Sequence, residues 1–106
     1  MFKIKAKPTF EATIEIPAAG AEPAQQLKLV FKHKTRKETA DFYGWLPDTE
    51  GMTDGAVLGK IIEGWKDVDT EFSEDALTEL CEQYHDAVAI ILDCYARELN
   101  KARAKN

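Results

Sequence analysis

Thr9-Phe10-Glu11-Ala12-Thr13-Ile14-Glu15-Ile16 alternates residue by residue, and this alternation decides the fold class. Phe10, Ala12, Ile14 and Ile16 fall on one side of an extended chain, and Glu11, Thr13 and Glu15 on the other. A period of two is that of a strand with one wet face. Pro17 to Gln25 then breaks regular structure, with Gly20 between two prolines. From Gln26 to His33 the alternation resumes, with Leu27, Leu29 and Phe31 against Lys28 and Lys32. Val30 departs from the pattern, as it would if another element covered it. Two such runs joined by one loop read as an antiparallel hairpin, although the loop is longer than the tight turns hairpins favour. Phe2, Ile4 and Ala6 also alternate and leave open a third strand. An isolated two-stranded hairpin is marginal, so it must lean on something.

What it leans on reads as helical. Thr35-Arg36-Lys37-Glu38 fits a capping box: the threonine hydroxyl accepts from the third amide and Glu38 reaches back. The helix it starts presents Thr39, Phe42, Tyr43 and Leu46, and Pro47 stops it. Thr53 or Asp54 caps a second helix, in which Val57, Leu58, Ile61, Ile62 and Trp65 sit at helical spacing. Gly59 and Gly64 weaken it, each by about 1 kcal/mol relative to alanine. Lys66 to Phe72 is an acidic connector, and Ser73 caps a third helix with Glu74 and Asp75 at its positive end. The apolar stripe then runs from Leu77 to Leu99. It suits one long helix or two with a break at His85-Asp86; the break, with Asp86 as cap, is the preferred reading. The expected fold is α+β: an N-terminal hairpin (residues 1–34) packed on three to four helices (residues 35–106), in one domain.

Charge divides along the chain. Residues 1–37 carry eight Lys/Arg and three acids, a net of +5; residues 38–100 carry three and sixteen, a net of −13. Lys101, Arg103 and Lys105 bring the total to −5 and suit the negative end of a last helix. A chain polarised in this way can attract copies of itself head to tail. Its overall acidity argues against nucleic-acid binding, which needs phosphate neutralisation. No run is long enough to span a bilayer, and residues 1–5 lack the apolar core of an export signal.

Catalysis finds no constellation. Asp67-Val68-Asp69-Thr70-Glu71 begins like a calcium loop, but Phe72 stands where the turn glycine belongs and Thr78 where the last glutamate belongs. Cys81 and His85 lie four apart on a helix face, with only Cys94 and distant His33 to complete a metal site. Packing is the better explanation of both cysteines, and a buried thiol has its pKa raised, against nucleophilic use. Neither a cofactor nor a metal is expected. Trp45 and Trp65 read as core or edge-of-core residues. The basic run Lys32-His33-Lys34-Thr35-Arg36-Lys37 reads equally as a docking patch for an acidic surface or as a solvated junction.

The order of several short motifs is familiar. They are Pro8 to Pro17, the Gly/Glu/Pro loop, Leu29 to Arg36, Gly64-Trp65 followed by an acidic connector with Phe72, and Tyr95-Ala96-Arg97-Glu98-Leu99 with Ala102 to Asn106. In this the chain resembles the tail assembly chaperones of long-tailed, siphophage-type bacteriophages and prophages. The resemblance implies a non-catalytic protein of the host cytoplasm that coats the tape measure protein and keeps it soluble. It also implies recruitment of the major tail protein and absence from the mature virion. A longer frameshifted product is implied as well; Ala104-Lys105-Asn106 suits an adenine-rich slippery stretch. If the codons there contain no slippery heptamer, that idea fails at this site.

The residues and the resemblance together set two expectations. Lys32, Lys34, Arg36 and Lys37 meet the acidic surface of a neighbouring copy, in a homo-oligomer. Ile90, Ile91, Tyr95 and Leu99 bind the client, the alternative being that they fill the protomer's own core. Rival readings are a minor tail or head–tail component that stays in the particle, and a small adaptor for an acidic partner unrelated to phage.

Overall fold

In a computed structural model describing residues 1–101, the two alternating segments pair as strands. β1 (Thr9–Ile16) and β2 (Gln25–Lys32) are antiparallel, with Phe10 opposite Phe31, Ala12 opposite Leu29 and Ile14 opposite Leu27. These pairs form the inner face, on which Ile14, Ile16, Leu27, Leu29 and Phe31 are buried. The helices follow: α1 (Arg36–Trp45), a 3-10 turn (Leu46–Asp48), α2 (Asp54–Leu58), α3 (Glu74–Gln83) and α4 (Ala87–Leu99). A third strand, β3 (Ile62–Lys66), lies between α2 and α3 in sequence and pairs antiparallel with β2, giving the sheet order β1-β2-β3. The fold is therefore α+β, a three-stranded antiparallel sheet with four helices.

Two expectations are corrected. The third strand comes from Ile62–Lys66, not from Phe2, Ile4 and Ala6, which form no strand and lie exposed. The helix read through Trp65 ends at Leu58, where Gly59 donates back to the Gly55 carbonyl. A β-bulge explains the misreading. Ile62 faces Phe31 and Trp65 faces Leu29, so both belong to the inner row although they stand three apart. The extra residue gives a strand the spacing of a helix.

The helix starts obey the sequence. Thr35, Thr53 and Ser73 each accept from the amide three residues on, at 3.0–3.1 Å, and Glu38 completes the capping box on Thr35 at 2.9 Å. Each such cap stabilises by about 1 kcal/mol. The break near His85-Asp86 is present, but Asp86 makes no side-chain cap bond. Tyr84 is extended instead, and its hydroxyl accepts from Gln25 Nε2 at 2.7 Å. Arg103 and Lys105 lie outside the described residues; Arg97 and Lys101 pair with Asp93 and Glu98 on α4.

The helices cover the inner face of the sheet. Leu58, Ile61, Leu77, Ile91 and Tyr95 are fully buried there, each worth about 1.5–3 kcal/mol. The outer face is polar. Lys66 reaches Glu11 at 2.7 Å across β2, beside half-buried Val30. Lys28 holds Asp67 at 2.7 Å and, through that bond, lowers its carboxyl below the usual range. Trp65 donates to the Thr70 carbonyl and meets Phe72 edge-on at 5.1 Å, so the acidic connector is folded against the sheet.

Two buried acids tie stability to pH. Burial, with Tyr43 and Glu38 adding repulsion, pushes the Tyr95 phenol from 10 up to about 12. Burial, with Asp54 and Glu82 adding, pushes the Cys81 thiol from 9 up to about 11. A raised folded value means the native state holds its proton longer. That stability is complete below 9 and 10 and is lost as pH rises through 11 and 12. At most about 2–3 kcal/mol is at stake for each group. Urea midpoints followed by circular dichroism should therefore fall steeply above about pH 9. A flat profile to about pH 11.5 would contradict it.

Two oppositely charged grooves form the candidate functional site

The strand-to-helix junction becomes one wall of a groove. His33, Lys34, Thr35 and Arg36 line it with the α1 residues Thr39, Ala40 and Tyr43, and Leu99 and Asn100 close it from the end of α4. Its volume is about 440 Å³. The capping box fixes this wall, because Thr35 and Glu38 bind each other's backbone amides where α1 begins. Tyr95 fixes the other wall, since its hydroxyl donates to the Lys32 carbonyl at 2.7 Å and ties α4 to the end of β2. Ala40, Tyr43 and Leu99 give it apolar surface, and Lys34 and Arg36 give it positive charge.

A second groove, of about 430 Å³, lies at the opposite end of β2. Ile16, Leu27, Val68 and Leu80 supply its apolar lining, and Asp67 and Asp69 its charge. Leu27 lies on β2 and His33 follows its last residue, six residues further along the chain, so the grooves are separated by about 20 Å. The charge asymmetry of the chain thus reappears as two grooves of opposite sign.

The expected site residues are divided by the structure. Lys34 and Arg36 line the basic groove. Lys32 is turned inward, its ammonium donating to the Gly59 carbonyl at 3.0 Å, and Lys37 lies near Asp41 at 3.7 Å on the exposed side of α1. Ile91 and Tyr95 are 0% exposed and serve the core. Ile90 and Leu99 are half-buried. They stand nine residues apart, half a turn out of phase at about 3.6 residues per turn, and so face different sides of α4. Only Leu99 shares a surface with the basic residues. Tyr43 and Ala40, which sequence reasoning left out, complete that surface.

Burial raises the thiols of both Cys81 and Cys94, and both are free and buried. Among the described residues, no group of three or more His, Cys, Asp or Glu is placed to hold a metal ion, and no buried side-chain nitrogen or oxygen lacks a partner. No described helix is long and apolar enough to cross a membrane.

Comparison with known proteins adds one finding. No curated protein and no solved structure matches the chain. A family model described as phage tail assembly chaperone matches residues 1–106. That match spans the whole sequence, hairpin, connector and last helix alike, and the chain therefore belongs to the phage tail assembly chaperone family.

Proposed function

We propose that this protein is a non-catalytic chaperone that binds the tape measure protein in the host cytoplasm, keeps it soluble and helps bring the major tail protein to it, as an oligomer absent from the mature virion. The observation that carries the reading, beyond family membership, is the basic groove. It puts Leu99, exposed Tyr43 and Ala40 beside Lys34 and Arg36 on one surface. An amphipathic helix with acidic flanks fits such a surface, its apolar side against Leu99, Tyr43 and Ala40 and its carboxylates at Lys34 and Arg36. Tape measure proteins are long helical rulers, so they offer this ligand repeatedly.

The opposed charge of the two grooves favours a second use of the same residues. Lys34 and Arg36 of one copy would meet Asp69 of the next, beside Asp67, which already holds Lys28. A contact between two different patches is heterologous and builds rings or open spirals. Exposed charges are screened beyond about 8–10 Å at 0.1–0.15 M salt, so this contact weakens with salt.

One variant separates the two uses. Lys34→Glu with Arg36→Glu leaves the core untouched. Capture of a tape measure polypeptide and sedimentation without it are measured on the same preparation. Loss of capture by about tenfold or more with unchanged sedimentation assigns the groove to the client. Loss of self-association with capture intact assigns it to a neighbour. If neither changes, the groove has no part in either.

A further inference from the structure

Residues 1–7 form a stretch of alternating sequence that the sheet does not use. Phe2 and Ile4 are 87% and 90% exposed, and Lys3, Lys5 and Lys7 alternate with Phe2, Ile4 and Ala6 and have no ion pair among the described residues. Among the described residues β1 pairs only with β2, which makes it an edge strand. Its inner row is incompletely covered at Phe10 and Ala12, while its outer row presents Glu11, Thr13 and Glu15.

The two patterns are complementary. Laid antiparallel with Lys3 opposite Glu15, the segment places Lys7 opposite Glu11 and Lys5 opposite Thr13. The same register puts Ile4 beside Ile14 and Ala6 beside Ala12 on the inner side. Because the side-chain period is two, matching the lysines to the glutamates also delivers the apolar residues to the apolar face. Opposite charges across a strand pair stabilise it, and a free edge supplies unpaired backbone groups for the new ladder. Glu11 already meets Lys66 through Oε1, which leaves its other oxygen for a second cation.

A chain cannot do this to itself. In that register Pro8, Thr9 and Phe10 would have to form the turn. Thr9 and Phe10 are instead paired with Lys32 and Phe31, and the Pro8 carbonyl accepts from the His33 amide at 2.8 Å. We propose that residues 1–7 of one copy add as a fourth, antiparallel strand to the free edge of β1 in a second copy of this chain. The contact is heterologous, so each copy offers both an arm and an edge, and the chain of copies continues. The proposal rests on the self-association in the proposed function but places it on another surface, independent of the client.

Cysteine pairs test it directly in the full chain. A Lys3→Cys chain mixed with a Glu15→Cys chain should give a disulfide-linked dimer under mild oxidation, and neither chain alone should. A link from Lys3→Cys to Glu11→Cys in place of Glu15→Cys would overturn the antiparallel register. No link in either mixture would overturn the proposal. Phe2→Ser with Ile4→Ser touches nothing in the core and should weaken sedimentation-detected association by about tenfold or more. If that variant associates like the parent while Lys34→Glu with Arg36→Glu does not, the arm contact is refuted and groove-based assembly stands. If the parent chain is a monomer at every salt concentration, both fall.

Discussion

Tyr95→Ala is expected to lower stability by about 4 kcal/mol, the cost of emptying a buried aromatic site. Tyr95 is fully buried and closes an aromatic cluster that joins three elements. Its ring stacks on Phe10 of β1 at 6.0 Å and tilts against Phe31 of β2 at 5.1 Å, and those two rings lie 5.5 Å apart. Its hydroxyl donates to the Lys32 carbonyl at the end of β2. Packing and hydrogen bonding can be separated, because Tyr95→Phe keeps the ring and loses only the donor, at about 1–2 kcal/mol. A domain with about 5–15 kcal/mol in total would retain its fold after the second change and be marginal after the first. Urea melts of the three proteins provide the comparison. A cost below about 1 kcal/mol for the alanine variant would mean that α4 is held to the sheet by something else. The same side chain sets one wall of the basic groove, so Tyr95→Phe should also loosen the groove while leaving its lining residues in place.

How much of this was readable beforehand depends on how local each signal is. The hairpin was legible because alternation is a property of neighbouring residues, and Phe10 does face Phe31 as the pattern requires. The caps at Thr35, Thr53 and Ser73 were legible for the same reason: donor and acceptor lie three residues apart. β3 was not, since its bulge places Ile62 and Trp65 at the spacing of a helix. Residues 87–92 of α4 are apolar on every side, so the sequence does not say which of them are core. Only the tertiary contacts bury Ile91 and Tyr95 and leave Ile90 and Leu99 half-covered. The groove was half legible. Lys34 and Arg36 stand out as a basic run, but Tyr43 and Leu99 join them only when α1 and the end of α4 meet, more than fifty residues apart in sequence.

Gly55→Ala is the second large effect, and its sign runs against helix propensity. In an open helix the change from glycine to alanine stabilises by about 0.4–1 kcal/mol. Gly44, on α1, has nothing within 4 Å of an added Cβ, so Gly44→Ala should gain about that amount. Gly55 has no such freedom. A Cβ there would overlap the Glu74 carbonyl of α3 and meet Thr78 Oγ1 at 2.5 Å. The obstacle is backbone, which cannot swing aside as a long side chain can. The Gly55 amide also donates to Thr78 Oγ1 at 2.8 Å, so the two helices touch main chain to main chain and are bonded where they touch. To admit a methyl group, α2 must lift off α3, and Leu58 and Ile61, both fully buried, must move with it. Overpacking of this kind costs about 3 kcal/mol, against the small propensity gain. For a domain near 100 residues that is a drop of about 10–20 °C in the melting midpoint. Melting both alanine variants side by side makes the test internal, one midpoint rising and the other falling. If Gly55→Ala melts at or above the parent, α2 and α3 do not meet main chain to main chain at this point.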